Sequence, residues 1–266
     1  MDKTIPKNII KYIIDKEYVE NNVGKTDSKV YIFDDIVLKI QKQISEARNE
    51  YNVVQKVMNK IPVPKIIEYE EENDLSYTLM SKIKGKMLCD EDILKNPELL
   101  IELLSEGLKL LWSIDISDCK IEEVSYIKQR LKVARYNVEN NLVDVNNVMA
   151  DTFGANGFAT PKALLEWLEN NVPEVEPVFS HGDYCLENIF TLNNQISGFI
   201  DLGKSGIADR WQDLAICIRE LDGVFSNEYV KDFDYSQYSS DMLLAKLGIK
   251  RDNEKIKYYM LLDELF

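Results

Sequence analysis

Two hydrophobic periods divide the chain. Up to about residue 84, short β-rich runs, KVYIF, IVLKI, KIIEY and SYTLMSKI, carry the pattern of half-buried strands. Asp34-Asp35 interrupts the first pair and the polar tip EEND the second, so each pair reads as a hairpin. Between them Ala47, Tyr51, Val54 and Met58 recur at helical spacing behind Ser45, a capping residue. IPVPK ends that helix, because proline disfavours helical geometry in the residue before it. Beyond Lys84-Gly85 the period becomes helical. PELLIELLSEGLKLLWSI keeps a leucine stripe with Pro97 in its first turn, the pattern of a buried central helix. Further helices are expected at about 124–142, in TPKALLEWLENN, around RWQDLAICIREL and over 253–266. NNVMADTFGANGFAT is rich in turn formers and reads as a loop, whereas VFSHGD, NIFTL and QISGFID read as short strands flanking a functional loop.

This order predicts an α+β chain with a β-rich N-terminal lobe at 1–84 and a mostly helical C-terminal lobe at 85–266, joined by a connector near 81–85. The 266 residues are 45% apolar, enough for a real core. No apolar run approaches the ~20 residues of a membrane span, and the N-terminus lacks a signal-peptide pattern, so a cytoplasmic protein is expected. Cys89, Cys119, Cys185 and Cys217 lack metal-site spacing and are expected to be free thiols. A formal net charge of -14 argues against nucleic-acid and membrane partners and favours a cationic ligand, although an acidic surface that serves solubility accounts for it equally well. A polyphosphate site would have to overcome that field locally, and Lys25, Lys29 and Lys39 are the places to look.

The chemistry gathers in SHGDYCLENIF and GFIDLG. Phosphoryl transfer needs magnesium on oxygen ligands, a lysine on the phosphates and a group that orients the attacking hydroxyl. His181-Gly182-Asp183 followed by Asn188 has the kinase catalytic-loop spacing, and Asp201-Leu202-Gly203 stands where kinases place a metal-binding aspartate. Singly, each residue reads as a surface carboxylate or a solvated lysine; as an ordered set they point to a kinase.

The runs VFSHGDYCLENIF, SGFIDLGKSGIADRWQDLA and KIKYYMLLDELF resemble the bacterial aminoglycoside 3′-phosphotransferases, kinase-like enzymes that modify antibiotics, and the resemblance extends through IPVPK and SIDISDC over nearly the whole chain. It implies a two-lobed protein-kinase-like fold and phosphoryl transfer from ATP, or GTP, with Mg2+ to a hydroxyl of an aminoglycoside, by a monomer or weak dimer. Position by position it implies Asp183 as catalytic base, Asn188 and Asp201 as magnesium ligands, Lys39 on the α and β phosphates and Glu50 as its ion-pair partner. Thr26 or Ser28 would cover the phosphates, and Met80, Ser81 and Ile83 would meet the base, with Val37 where close relatives carry an aromatic ring. His181 and Asp213 would hold the catalytic loop in shape, and Cys185 would be a packed thiol. Asp263, Glu264 and the α-carboxylate of Phe266 would meet the acceptor's ammonium groups, joined by Glu220 and Asp222. Negative charge at a helix C-terminus is opposed by the helix dipole by ~0.3–1 kcal/mol per exposed charge, which a bound polycation relieves. Differences in the loop after Asn146 and in RELDGVFSNEYVKDFDYSQYSSD leave two alternatives open: a kinase of the same fold acting on a metabolite or another antibiotic, and a catalytically inert nucleotide-binding protein.

Overall fold

The computed structural model describes residues 5–21, 28–42, 44–117 and 126–266. The chain divides into two compact units, Met1–Met87 with Asn188–Lys204, and Leu88–Glu187 with Ser205–Phe266. A single cut at 84/85 thus differs from the observed division, in which a segment from the middle of the expected C-terminal lobe joins the first unit. The reason is strand pairing, described below.

In the first unit, α1 (Lys7–Ile13) and β1 (Val19–Asn21) precede the hairpin of β2 (Lys29–Ile32) and β3 (Ile36–Gln41). Then come α2 (Ile44–Val57), the hairpin of β4 (Ile66–Glu72) and β5 (Leu75–Ser81), and the short β6 (Lys86–Met87). The first five strands form one antiparallel sheet in the order β1-β2-β3-β5-β4. The β4–β5 turn is Asn73-Asp74, with φ of 52° and 60°, the left-handed pair that a two-residue hairpin loop requires.

Ile9 and Ile13 of α1 pack with Ile5, Tyr31, Phe33, Leu38, Ile40, Tyr77 and Leu79 in one buried cluster. No pattern in the sequence signals α1. Its seven residues are rich in isoleucine, which has only middling helix propensity, and the helix is carried by burial against the sheet. Alternation along β3 then sends Leu38 and Ile40 into this cluster and Lys39 to the opposite face.

In α2 the buried positions are Ala47, Asn49, Glu50, Val53, Val54 and Val57. The buried face is therefore rotated from the expected Ala47, Tyr51, Val54, Met58 stripe: Met58 is exposed and Glu50 is 4% exposed. Ser45 lies inside the helix, which starts at Ile44, so it is not the cap.

After β7 (Pro177–Ser180) of the second unit, β8 (Ile189–Leu192) and β9 (Gln195–Phe199) return to the first, turning at Asn193-Asn194 with φ of 55° and 61°. β6 adds to this hairpin in a three-stranded sheet, β6-β8-β9, and the Phe199 N–H donates to the Pro62 carbonyl at 3.0 Å. Gly85 allows β6 to start: its φ is +115°, and a Cβ there would lie 2.1 Å from the Thr191 carbonyl oxygen.

The second unit holds α3 (Glu91–Leu94), α4 (Pro97–Trp112), α5 (Ile127–Glu139), α6 (Pro161–Asn170), β7, β10 (Gly206–Asp209), α7 (Arg210–Phe225), α8 (Asp241–Leu247) and α9 (Asn253–Asp263). The leucine stripe of α4 is buried at Leu100, Leu103, Leu104, Leu108 and Leu111. Its N-terminus has the expected Pro97, preceded by Asn96, whose side chain accepts the Leu99 N–H at 3.2 Å. Each fully buried leucine contributes roughly 1.5–3 kcal/mol relative to leaving it exposed. α7 packs on α9, α5 on α6 and α4 on α8, while β10 pairs antiparallel with β7. α3, α8 and β10 are short elements that the sequence pattern did not signal. Among the described residues no helix is long and apolar enough to cross a membrane.

Gly85→Ala is expected to destabilise the protein by about 2 kcal/mol or more, through strain at positive φ and the clash with Thr191. Urea unfolding checks this: the midpoint should fall while the slope stays unchanged.

Candidate functional site

In the first unit the Lys39 ammonium lies between two carboxylates, 3.2 Å from Glu50 Oε2 and 2.7 Å from Asp201 Oδ1. Burial alone pushes the lysine pKa down, but the two carboxylates reverse that and raise it above its ordinary value, so Lys39 stays charged at any physiological pH. Glu50 also takes the Leu202 N–H on Oε1 at 3.2 Å, and its neighbour Asn49 donates from Nδ2 to the Gly203 carbonyl at 2.8 Å. Two successive side chains of α2 thereby hold the turn that follows Asp201. Asp201 itself has φ of 60°, and its side chain is 49% exposed.

The β8–β9 hairpin joins this arrangement to Asn188. Asn188 immediately precedes β8, and its carbonyl accepts the Ile200 N–H at 3.0 Å, so the open end of the hairpin places Asn188 beside the 200–201 step. Both candidate magnesium ligands therefore come from one short structure. Among the described residues no cluster of three or more His, Cys, Asp or Glu side chains is set to hold a metal ion. Asp201 and Asn188 are instead a sparse set of hard oxygen donors, which fits magnesium, an ion that takes one or two carboxylates and completes its octahedron with phosphate and water.

Of the other nucleotide candidates, Thr26 and Lys25 lie outside the described residues, and Ser28 immediately precedes β2. Met80 is buried on β5, opposite Val37 in the β3 register. Ser81 is more committed than expected: its N–H donates to the Lys65 carbonyl and its Oγ accepts the Lys65 N–H, both at 2.9 Å. Its amide is thus engaged in edge pairing with the chain before β4. Ile83 packs against Gly198, where an added Cβ would lie 2.7 Å from its side chain.

In the second unit, residues 180–184 are held by their backbone. The fully buried Asp213, in the first turn of α7, accepts the N–H groups of His181 at 2.8 Å and Gly182 at 3.0 Å. Ser180 Oγ accepts the Gly182 N–H at 3.1 Å, and Ser205 Oγ donates to the His181 carbonyl at 2.7 Å. Gly182 has φ of 83°, a conformation few side chains tolerate. Tyr184 is fully buried and donates its hydroxyl to the Leu104 carbonyl of α4 at 2.9 Å. Asp183, between these anchored neighbours, is the only residue of 180–184 that is not buried. Burial pushes the Asp213 carboxyl pKa up, opposed by His181 and the two amide donors. The expected loop-holding role of Asp213 is present in the geometry, and Ser205 adds to it without any signal in the sequence. The His181 ring is buried edge-on to Tyr184, with centroids 6.1 Å apart.

The C-terminal carboxylates, also in the second unit, are ordered by specific partners. Asp263 closes α9 and pairs with Arg219 of α7 at 2.9 Å and Arg130 of α5 at 3.6 Å. Glu264 Oε2 accepts the Met149 N–H at 3.1 Å, which ties the tail to the loop after Asn146, and the Leu265 carbonyl accepts from Asn137 Nδ2 at 2.8 Å. Phe266 lies over the Arg130 guanidinium at 4.4 Å. Glu220 is half-buried on α7, where its Oε2 accepts the Tyr229 hydroxyl at 3.0 Å, and burial raises its pKa. Asp222 is exposed, and because residues two apart on a helix point in different directions, it lies on a different face of α7 from Glu220. Cys89, Cys185 and Cys217 are free thiols; Cys119 lies outside the described residues.

A family model described as the phosphotransferase enzyme family matches residues 20–240. The chain is 37% identical to an aminoglycoside 3′-phosphotransferase of Enterococcus faecalis, with 97% of each chain covered. The chain belongs to the aminoglycoside 3′-phosphotransferase family. A second member, from Staphylococcus aureus, is also 37% identical over 97% of both chains. Among solved structures, the aminoglycoside phosphotransferase APH(3″)-Id of Streptomyces rimosus matches with a TM-score of 0.80 at 20% identity, covering 97% of this chain and 95% of that one. The same enzyme in complex with ADP and streptomycin matches with a TM-score of 0.77. This family fold is the kinase-like α+β architecture expected from the sequence.

Asp213→Ala leaves the His181 amide without its buried acceptor, at about 1–3 kcal/mol, and the Gly182 amide with Ser180 Oγ alone. The expected loss in urea unfolding is therefore about 1–3 kcal/mol, with Asp213→Asn losing less because its amide oxygen still takes one of the two N–H groups.

Proposed function

We propose that this protein transfers the γ-phosphoryl group of ATP or GTP to the 3′-hydroxyl of an aminoglycoside and so confers resistance to it. The observation that carries the nucleotide half is Lys39 bridging Glu50 and Asp201, which holds a cation beside a candidate magnesium ligand. Asp201 and Asn188 would hold magnesium, which when bound neutralises the charge of the phosphates. Lys39 binds the α and β phosphates, with Ser28 or Thr26 covering them, and Met80, Ser81 and Ile83 line the base, Ser81 with its N–H already spent.

Asp183 orients the acceptor hydroxyl and takes its proton. Its neighbours are anchored, Gly182 through its backbone N–H and Tyr184 through its hydroxyl, while its own side chain stays accessible, the combination that a positioned general base needs. Glu264, Asp263 and Glu220 supply the anionic surroundings for ammonium groups, with Phe266 beside them. Asp222, on a different face of α7, is the weakest member of the set.

A second reading keeps the chemistry and changes the acceptor to a less cationic metabolite. Charge compensation favours it: Asp263 is already paired with two arginines, so the tail is less anionic than its sequence implies.

The deciding assay measures ADP or GDP release with magnesium against kanamycin, neomycin and a 3′-deoxy analogue. Turnover with the first two that vanishes with the deoxy compound is the expected result; no drug-dependent release with either nucleotide supports the second reading. Asp183→Ala is expected to lower kcat by about 10²–10⁴ with nucleotide affinity nearly unchanged. Asp201→Ala should lose magnesium-dependent nucleotide binding and turnover together. Titration calorimetry beside the rate assay separates the two, and equal loss of nucleotide affinity in both variants counts against these roles.

A further inference from the structure

Residues 202–203, just after Asp201, rest on one face of α2. Glu46, Asn49 and Glu50 stand at i, i+3 and i+4 and so share that face. Gly203 packs over the first of them, where an added Cβ would lie 3.2 Å from the Glu46 carbonyl oxygen. Asn49, 2% exposed, donates from Nδ2 to the Gly203 carbonyl at 2.8 Å, and Glu50 accepts the Leu202 N–H at 3.2 Å. Successive residues of the helix thus offer a donor and an acceptor to the carbonyl and the N–H of one short turn. A carbonyl can only accept, so the nitrogen end of the Asn49 amide is the end that must face it.

The two tethers differ in what they do when a charged ligand arrives. Glu50 shares its carboxylate between Leu202 and the Lys39 ammonium, 3.2 Å away, so any movement of Lys39 toward phosphates pulls on that tether. The Asn49 amide is neutral and holds the turn independently of Lys39. Asp201, immediately before the tethered residues, has φ of 60°, which is uncommon for a residue with a side chain. Freeing the turn lets Asp201 return to the commoner negative-φ regions and carries its carboxylate away from its place 2.7 Å from Lys39.

We infer that Asn49 is a positioning residue for the metal, acting on Asp201 through the Gly203 carbonyl. This rests on the reading of Asp201 as a magnesium ligand. Side chains that orient a ligand without touching the metal commonly govern metal affinity, and Asn49 stands in that relation to Asp201. Its polarity in the buried face of α2, where the helical period calls for an apolar residue, follows from that task.

The test compares Asn49→Leu, Asn49→Gln and Gly203→Ala with the wild-type chain in two assays. One is calorimetric titration with AMP-PNP, an ATP analogue that resists transfer, in a magnesium series and in EDTA. The other is hydrogen exchange of the amides of residues 200–204 with no metal or nucleotide present. Asn49→Leu keeps the side chain's size and removes its donor. It is expected to raise the magnesium concentration needed for analogue binding about tenfold, with affinity in EDTA changed less than about twofold. Exchange over 200–204 should quicken about fivefold or more, the scale of one lost hydrogen bond. Asn49→Gln, which keeps the donor on a longer stem, should fall between Asn49→Leu and the wild type in both assays. Gly203→Ala should shift both in the same direction with Asn49 intact, because its Cβ meets a helical carbonyl that has little room to yield.

An unchanged magnesium requirement in Asn49→Leu overturns the inference, and so does an equal loss of affinity in magnesium and in EDTA, the mark of a general loosening of the unit. If Asn49→Leu does not fold, Asn49→Gln and Gly203→Ala decide on the same criteria. A wild type that binds the analogue equally well with magnesium and with EDTA overturns the metal reading of Asp201 itself, and with it the role of Asn49.

Discussion

The first unit depends on one lysine held between two carboxylates. Burying the Lys39 ammonium costs several kcal/mol in lost hydration, and a single partner seldom offsets that. Here Glu50 and Asp201 both lie within ion-pair distance, and together they hold the lysine's pKa above its ordinary value despite burial. Removing either carboxylate would leave the ammonium with a single partner, and the three groups tie the strand, the helix and the segment after the hairpin together beside the Asn49–Gly203, Glu50–Leu202 and Phe199–Pro62 hydrogen bonds. β3 presents Lys39 on the face away from the α1 core, α2 turns Glu50 inward, and the β8–β9 hairpin delivers Asp201.

That dependence explains why part of the fold was legible in the sequence and part was not. The hairpins and α4 follow from local chemistry: left-handed Asn-Asp and Asn-Asn turns, a proline in the first turn and a leucine stripe. In α2 the same reasoning gave the helix but not its buried face. The apolar residues alone point to Tyr51 and Met58, whereas the buried face includes Asn49 and Glu50, which are polar because they serve Gly203, Leu202 and Lys39. A hydrophobic period cannot register a carboxylate buried for a partner more than 150 positions away. The placement of 188–204 with the first unit was hidden for a related reason, since the two-residue β6 that recruits the hairpin has almost no pattern of its own.

The site followed the same rule. Asp183 and Asn188 stand at the kinase catalytic-loop spacing, with Asp201 following, and that pattern is readable in the linear chain. The acidic finish LLDELF was equally visible, but its electrostatic state was not. Arg130 and Arg219 meet Asp263 only because α5, α7 and α9 converge, and nothing in the sequence near either arginine marks it. A formal charge of -14 is therefore a poor guide to the field at the tail, where two buried or half-buried guanidiniums stand behind the carboxylates.

The two units solve the same local problem in the same way. In each, a buried carboxylate on a helix accepts a backbone amide next to a less buried aspartate: Glu50 takes the Leu202 N–H beside Asp201, and Asp213 takes the Gly182 N–H beside Asp183. A hydrogen bond to a charged acceptor is worth about 1.5–3 kcal/mol, enough to offset the strain of the left-handed step at Asp201. Gly182 also has positive φ, which glycine adopts without strain. The division of labour is physical. The holding carboxylate is desolvated and committed to geometry, which leaves the aspartate beside it partly solvated and oriented by a backbone it does not itself have to stabilise. Because neither Asp183 nor Asp201 is buried, each remains accessible to a ligand.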